Sequence, residues 1–514
     1  MTWTVLLLLV ADYDAVFRNA KVVDGTGNPW FIADVAVKEG KIAAIGRLDG
    51  KTADRTIDAQ GRVLSPGFID VHTHIEGSLE KVPRGDNYLL DGVTTVVTGN
   101  CGGSYLDLAG WFKKVEEMGI GLNVASLIGH NTVRADVMGT SFRKSTDEEV
   151  TRMQALVEKG MQDGAVGLST GLIYIPGTYS DTREVVALAQ AAGKYGGVYA
   201  SHMRDEGKLV LDAINEAVKA GREGGLRVQL SHFKIDTPKI WGFSKETIAF
   251  VEKYRGEGVD VVVDQYPYDR SSTNLGITLP RWALADGFEA IKERLTTPAT
   301  REKIAAEMKT MLENLGHADY SYATVAGFKP EKAYEGKTIS EINTMKSRPK
   351  TVDAEIETIF ELMLAGGAQM VYHSMGDTDV ERIMKYPHTA VASDGGVREF
   401  GIGMPHPRSY GTNARVLAEF VRQRKLLALE DAIRRMTSLP ARTFNFKDRG
   451  MVREGMAADL LLFDPAKVQD MATYQEPHQY TVGFDYILVN GIIMGEDGKL
   501  TDRRGGRVLR HLPE

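Results

Sequence analysis

His72 and His74 close the stretch Ser65-Pro66-Gly67-Phe68-Ile69-Asp70-Val71-His72-Thr73-His74. Two imidazoles one residue apart at the end of a strand point the same way, which is how a pair of histidines reaches one metal ion. Alone, a His-x-His is equally at home in a polar loop. Four later stretches repeat the theme: Thr98-Gly99-Asn100-Cys101-Gly102-Gly103, Ala200-Ser201-His202-Met203-Arg204-Asp205-Glu206, Leu230-Ser231-His232-Phe233-Lys234 and Ala392-Ser393-Asp394-Gly395. Each sets a thiol, an imidazole or a carboxylate directly after an apolar run. These are the usual partners of zinc, and a catalytic zinc keeps one position for water. Core packing explains one buried Cys or His, but not their recurrence at the ends of successive runs.

The elements that must position these groups are legible as alternation. Runs at 68–72, 94–98, 123–128, 165–169, 197–201, 227–231, 259–264 and 389–393 read as strands, with amphipathic helices such as 147–159, 182–195 and 208–221 between them. That order predicts a parallel α/β domain, and eight strand–helix repeats predict a (β/α)8 TIM-type barrel with its chemistry at the C-terminal strand ends. A ninth run, 369–373, is surplus to that count. Residues 282–358 are helical and charged with no comparable strand, and are expected to form an inserted helical cap. Short strands separated by turns fill 15–57 and return after 447. A small β-sandwich domain built from both chain ends (1–64 and 447–514) therefore flanks a barrel at 65–446.

The chain has 514 residues, 43% hydrophobic and 25% charged, with a net charge of −7. That composition is globular, and it offers no basic field for nucleic acid or an anionic membrane. The single cysteine excludes an intrachain disulfide and fits a reducing, cytoplasmic compartment, leaving the thiol free to ligate metal. The apolar run at 5–10 is too short to span a bilayer and lacks the preceding basic residue of a secretory signal, so 1–13 reads as a lead-in to the first strand. The expected partner is a small-molecule substrate, with oligomeric state open.

Taken together, the His-x-His strand, the β-rich ends and the rim His and Asp resemble the amidohydrolase superfamily. The strings Thr98-Gly99-Asn100-Cys101-Gly102, Ser201-His202-Met203-Arg204-Asp205-Glu206, Asp264-Gln265-Tyr266-Pro267-Tyr268 and His406-Pro407-Arg408-Ser409-Tyr410-Gly411 are similar to those of its N-acyl-D-amino-acid deacylase (D-aminoacylase) branch. The resemblance runs from about Asp14 to the C-terminus. It implies that Cys101, His202 and His232 hold a tightly bound zinc, while His72, His74 and Asp394 surround a second, weaker metal position. In the cyclic amidases of the superfamily, such as dihydroorotase and hydantoinase, a carbamylated lysine on the fourth strand bridges two metals. The matching segment here, Gly164-Ala165-Val166-Gly167-Leu168-Ser169-Thr170, has no lysine. A thiolate at Cys101 supplies the missing negative ligand, since coordination to zinc deprotonates it.

The reaction this implies is hydrolysis of an N-acyl-D-amino acid to a carboxylate and a free D-amino acid. Zinc lowers the pKa of bound water to about 7 and polarises the amide carbonyl. Asp394 is the base that takes the water's proton and returns it to the leaving amine, although Ser-Asp-Gly is also a turn signal. Arg408 offers a guanidinium fork for the substrate carboxylate, and Lys234 faces the same side as His232. Tyr266, at the end of the 261–264 run, and Ser272, in the loop after it, match substrate-contacting positions of the family. An amidohydrolase acting on a cyclic amide, an imide or a dipeptide, and a non-catalytic binding protein on the same fold, remain alternatives. His130 reads as a hydrogen-bonded rim histidine and His373 as a strand histidine. Asp205-Glu206 reads either as carboxylates orienting a ligand or as solvated charges. The D preference rests on the resemblance, and side-chain and acyl preference stay unassigned, with Arg270 and Arg281 the nearest cations for an acidic side chain.

Overall fold

A computed structural model describes residues 11–511; the apolar run at 5–10 lies outside the described residues. The fold is mixed α/β. Parallel strands follow in chain order: Phe68–Asp70, Val93–Thr98, Asn123–Ser126 with its continuation Ile128–Gly129, Gly167–Gly171, Val198–His202, Arg227–Leu230, Val261–Gln265 and Thr389–Val391. The first three form one sheet, and those from Ile128–Gly129 onward form a second of six strands. Val93–Thr98 shows why the sequence reads this way: all six residues are β-branched and all are buried, as a parallel strand covered on both faces requires. Helices intervene, among them Asp147–Gln162, opened by a capping box between Thr146 and Glu149. Among the described residues no helix is long and apolar enough to cross a membrane.

The first and last parallel strands meet past their ends. Asp394 N donates to His72 O (2.9 Å) and His74 N to Gly395 O (2.7 Å). The buried Asp70 carboxylate accepts from Ser393 N and from His72 N, each at 3.1 Å. The expectation that His72 and His74 sit on the strand is thereby corrected. Regular pairing stops at Asp70, whose side chain takes up the His72 amide, and the chain continues along a single bridge from Thr73 to Gly395.

The two chain ends share one nine-stranded sheet. The joint is Leu460–Phe463 against Val63–Pro66, antiparallel, so the last segment is stitched directly to the strand that leads into Phe68–Asp70. The insertion differs from expectation. The surplus run Gln369–His373 is the middle strand of a three-stranded antiparallel sheet with Arg270–Asn274 and Ala323–Gly327. The reading of 282–358 as strandless therefore fails at Ala323–Gly327, a short Ala/Gly-containing segment whose partner lies well outside the 282–358 window. This unit carries its own apolar core, from Leu275 to Tyr372.

Where the terminal sheet meets the parallel strands, Asp459 accepts from Asn490 N (2.7 Å), Asn123 Nδ2 (3.1 Å) and Arg449 Nη1 (2.5 Å). Asp459 and Arg449 are both buried. Removing one partner of a buried pair strands the other's charge, so Asp459→Ala should cost about 3–5 kcal/mol in urea unfolding. Asp448→Ala, which removes the exposed second partner of Arg449, should cost under about 1 kcal/mol.

Candidate metal centre

The strand ends deliver their side chains to one point. Cys101 Sγ lies 3.3 Å from His72 Nε2, 3.6 Å from His202 Nδ1 and 3.7 Å from His232 Nε2. His202 Nδ1 and His232 Nε2 are 2.6 Å apart. His74 Nε2 lies 3.0 Å from Asp394 Oδ1, and His72 Nε2 3.5 Å from the same oxygen. All six expected ligand side chains are thus together, with His72 between the two expected sets and touching both.

Three of these residues hold left-handed backbone: Cys101 (φ 51°), His232 (φ 35°) and Asp394 (φ 49°). Such conformations are uncommon outside glycine and persist where the surroundings over-determine them. At Cys101 the surroundings include Gly171, where a Cβ would meet Cys101 O at 2.0 Å. At His232 they include Asp264, whose Oδ1 accepts the His232 amide at 2.7 Å.

Carboxylates lie beside the outer nitrogens, within hydrogen-bond distance only at His232. Glu206 Oε1 is 2.9 Å from His232 Nδ1, Glu206 Oε2 is 3.8 Å from His202 Nε2, and Asp264 Oδ1 is 3.4 Å from His72 Nδ1. At His232 this is the carboxylate–imidazole support that fixes the ring orientation of a metal-binding histidine, whereas His72 Nδ1 and His202 Nε2 make no hydrogen bond. It resolves the reading of Asp205-Glu206: Glu206 is a buried orienting carboxylate, whereas Asp205 accepts from Gly207 N and Leu209 N. Asp264 was legible only as part of a motif string.

The residues fit a cation. Burial pushes the Cys101 thiol up, but His72 and hydrogen bonds from His202 and His232 outweigh it and hold the thiol well below its usual range. Burial pushes His72 down, yet Cys101, Asp264 and Asp394 raise it well above its ordinary value. His74 is raised to about 9 by Asp394 and Cys101 against the same burial. Burial likewise opposes ionisation of Asp394, but Arg408, His72 and His74 hold it well below the carboxylate range. The cluster therefore draws positive charge onto itself. A thiolate, imidazoles and a carboxylate so arranged form a donor set for a zinc-like divalent ion.

The remaining expected residues are all at the cluster, each with a different degree of engagement. Lys234 Nζ is 2.8 Å from both Glu206 oxygens and 2.6 Å from His232 Nδ1. Arg408 is buried: it opens the helix Arg408–Arg415, and its Nη1 lies 3.0 Å from Asp394 Oδ2. Its guanidinium stacks 4.6 Å over the Tyr266 ring. Burial pushes Tyr266 up to about 12, and its buried hydroxyl has no partner among the described residues. Ser272 is not in a loop but in the strand Arg270–Asn274, with Oγ donating to Met370 O at 2.8 Å. His130 bonds buried Glu184 at 2.7 Å, away from the cluster, and His373 is a strand residue paired with Asp269. His406, unassigned from sequence, accepts the Arg408 amide on Nδ1 at 3.0 Å and holds that helix start in place.

A family model described as the amidohydrolase family matches residues 55–494. The chain is 32% identical over 520 residues to the D-aminoacylase of Alcaligenes xylosoxydans xylosoxydans, covering 97% of each. It matches, with TM-score 0.82 and 32% identity over 97% of this chain and 100% of the other, a D-aminoacylase whose binuclear metal centre shows one-metal activation and second-metal attenuation. An N-acyl-D-glutamate deacylase from Bordetella bronchiseptica, complexed with zinc and a phosphonate mimic of the tetrahedral intermediate, also gives TM-score 0.82 at 32% identity, over 97% of this chain and 99% of that one.

Purified protein should retain about one equivalent of zinc through dialysis, measured by elemental analysis, and Cys101→Ala should lose it. Glu206→Gln, which leaves the ligands intact but weakens the support of His232, should lower zinc affinity roughly 10- to 100-fold in a chelator competition. Unchanged zinc content in Cys101→Ala would remove the thiol from the donor set.

Proposed function

The chain belongs to the amidohydrolase family, and from that membership we propose that it hydrolyses the amide bond of N-acyl-D-amino acids, releasing a carboxylate and a free D-amino acid. The observation that carries the reading is the meeting of the Cys101–His202–His232 donor set with the Asp394–Arg408 pair at one set of strand ends. The relatives named D-aminoacylase and N-acyl-D-glutamate deacylase, the latter holding zinc, support both the bond cleaved and the metal.

In this reading Cys101, His202 and His232 hold a tightly bound zinc, and His72, His74 and Asp394 are assigned to a second, weaker position. Zinc bound there supplies Lewis acidity, which acidifies a water and polarises an amide carbonyl. Asp394 is held ionised, the state in which a carboxylate can accept the attacking water's proton, and it then gives that proton to the leaving nitrogen. Arg408 presents a fork to the substrate carboxylate, with the unpartnered Tyr266 hydroxyl as a further donor beside it. Lys234 and Ser272 complete the contacts assigned to substrate. The scaffold assigned to this chemistry is a (β/α)8 barrel at about 65–446, with a β-sandwich from 1–64 and 447–514. The strands in chain order and the hydrogen bonds between His72, His74, Asp394 and Gly395 support it.

Amine release from paired N-acetyl-D- and N-acetyl-L-amino acids (leucine, methionine, phenylalanine, glutamate, aspartate) tests the reading. The zinc-loaded protein should act on D forms only. Asp394→Asn should lower kcat by about 10²–10⁴-fold. Arg408→Met should raise KM more than it lowers kcat. No release from any pair by protein confirmed to hold zinc would sink the deacylase reading and turn the search to cyclic amides and dipeptides.

A further inference from the structure

Two cavities meet at Asp394, and the side chains assigned to the substrate carboxylate decide which half of the substrate enters each. Three of those four, Tyr266, Lys234 and Ser272, line the larger cavity, about 690 Å³, between the parallel-strand loops and the antiparallel unit. The amino-acid half therefore lies there. The acyl half is directed across Asp394 into the smaller cavity, about 490 Å³, where Arg398 and Arg408 are the cations.

The smaller cavity is poorly suited to a hydrocarbon. Tyr174 and Ile175 are the hydrophobic side chains on its wall, against four amides, Asn100, Asn131, Asn274 and Gln369. Two guanidiniums share it with one carboxylate, Asp394, and Arg408 already meets that carboxylate at 3.0 Å. Arg398 is left over.

Arg398 is also held in place. Its backbone N donates to Asn87 Oδ1 at 3.3 Å, and buried Asn87 in turn donates to Gly396 O at 3.0 Å and Ser409 O at 2.5 Å. Its Nε donates to Ser409 Oγ at 3.1 Å. Among the described residues its two Nη groups make no hydrogen bond and Arg398 makes no ion pair, while the adjacent Glu399 is taken by Lys81 at 2.8 Å. Burial pushes the Arg398 pKa down, with Arg408 acting in the same sense. A half-buried guanidinium that is pinned at its backbone and Nε, with both Nη groups uncommitted, is a fork prepared for a carboxylate.

Resting on the deacylase reading above, we infer that the preferred acyl group itself carries a carboxylate, as in an N-succinyl- or N-glutaryl-D-amino acid, and that Arg398 binds it. The substrate is then anionic at both ends, with its α-carboxylate at Arg408 and Tyr266 and its acyl carboxylate at Arg398. Hydrolysis breaks the carbonyl C–N bond. Water supplies hydroxyl to the acyl carbon and its proton goes to the amine, so the products are a dicarboxylate and a free D-amino acid.

The test is kcat/KM of zinc-loaded protein for the N-succinyl, N-succinamoyl, N-butyryl and N-acetyl derivatives of one D-amino acid, that released fastest in the paired acetyl series. Succinamoyl matches succinyl in size and lacks its charge, so that pair isolates the carboxylate and needs no variant. We expect succinyl to exceed succinamoyl and butyryl at least about tenfold, the scale of charge-assisted hydrogen bonds. Arg398→Met should lower the succinyl-to-acetyl ratio at least about tenfold, and Arg398→Lys should restore part of it. Calorimetry gives a readout independent of turnover: succinate should bind more tightly than succinamate, and Arg398→Met should abolish the difference. Equal rates for succinyl and succinamoyl, with N-acetyl-D-amino acids hydrolysed, overturn the inference and leave the deacylase reading intact. An equal proportional loss on succinyl and acetyl substrates in folded, zinc-holding Arg398→Met also overturns it, by giving Arg398 to the α-carboxylate. No hydrolysis of any of the four by zinc-loaded protein removes both readings.

Discussion

A thiol, three buried imidazoles and three carboxylates share one set of strand ends, and their mutual electrostatics constrain everything around them. Cys101, Asp264, Asp394 and Glu206 pull His72 and His232 above their ordinary pKa even though burial opposes it. His202 goes the other way, pushed down by burial and by the neighbouring charge of His232. Protons on the imidazoles therefore cannot neutralise the cluster evenly, because the rings lie too close to be charged together. A single divalent ion among the inner nitrogens and the sulfur satisfies the same negative groups without that repulsion. The chemistry of the donor set, more than any one distance, makes the cluster a candidate metal centre.

The scaffold bears the cost of assembling it. Left-handed backbone at Cys101, His232 and Asp394 costs of order 1–3 kcal/mol each, and the compensation is visible residue by residue. Asp264 captures the His232 amide, His72 O captures the Asp394 amide, and Gly171 lets a neighbouring strand approach Cys101 O without a clash. Asp70 serves the same end from below. Its carboxylate, raised to about 6 by burial, ties the His72 and Ser393 amides across the seam between first and last parallel strands. Both ends of that seam carry expected ligands, so the seam fixes the position of Asp394 relative to the histidines.

The parallel strands and the six candidate ligand side chains are legible in the sequence for a common reason. A strand buried on both faces is a continuous apolar or β-branched run, and a polar ligand at its end breaks that run conspicuously, as Thr98-Gly99-Asn100-Cys101 does. What escaped depends on contacts between distant segments. Asp264 acts on His72 and His232 from another strand, and His406 acts on Arg408 through its backbone; neither relation leaves a local pattern. The sequence does not announce the antiparallel unit, because Arg270–Asn274 is polar throughout and half-buried, with no period-two alternation. For the same reason Ser272 reads as a loop residue although it lies in that strand. The division into domains drawn from the sequence is equally insensitive to such a unit, whose core draws on residues on both sides of 282–358.

The four side chains assigned to the substrate are not equivalent, and their hydrogen-bonding states separate them. Lys234 is saturated: Glu206 takes it with two oxygens, and the pair holds the His232 ring from outside. Ser272 Oγ is spent on Met370 O. Arg408 is charged and buried, yet it meets Asp394 at only one Nη and reaches Ser272 O at 3.3 Å, so much of its fork is uncommitted. Tyr266, with its ring under that guanidinium and its hydroxyl unpartnered, is in the same position. Buried donors left unpaired are costly, and an arriving carboxylate recovers that cost where it recovers nothing at a saturated lysine. In the proposed reading carboxylate recognition therefore falls first to Arg408 and Tyr266, while Lys234, held by Glu206, braces the His232 ring.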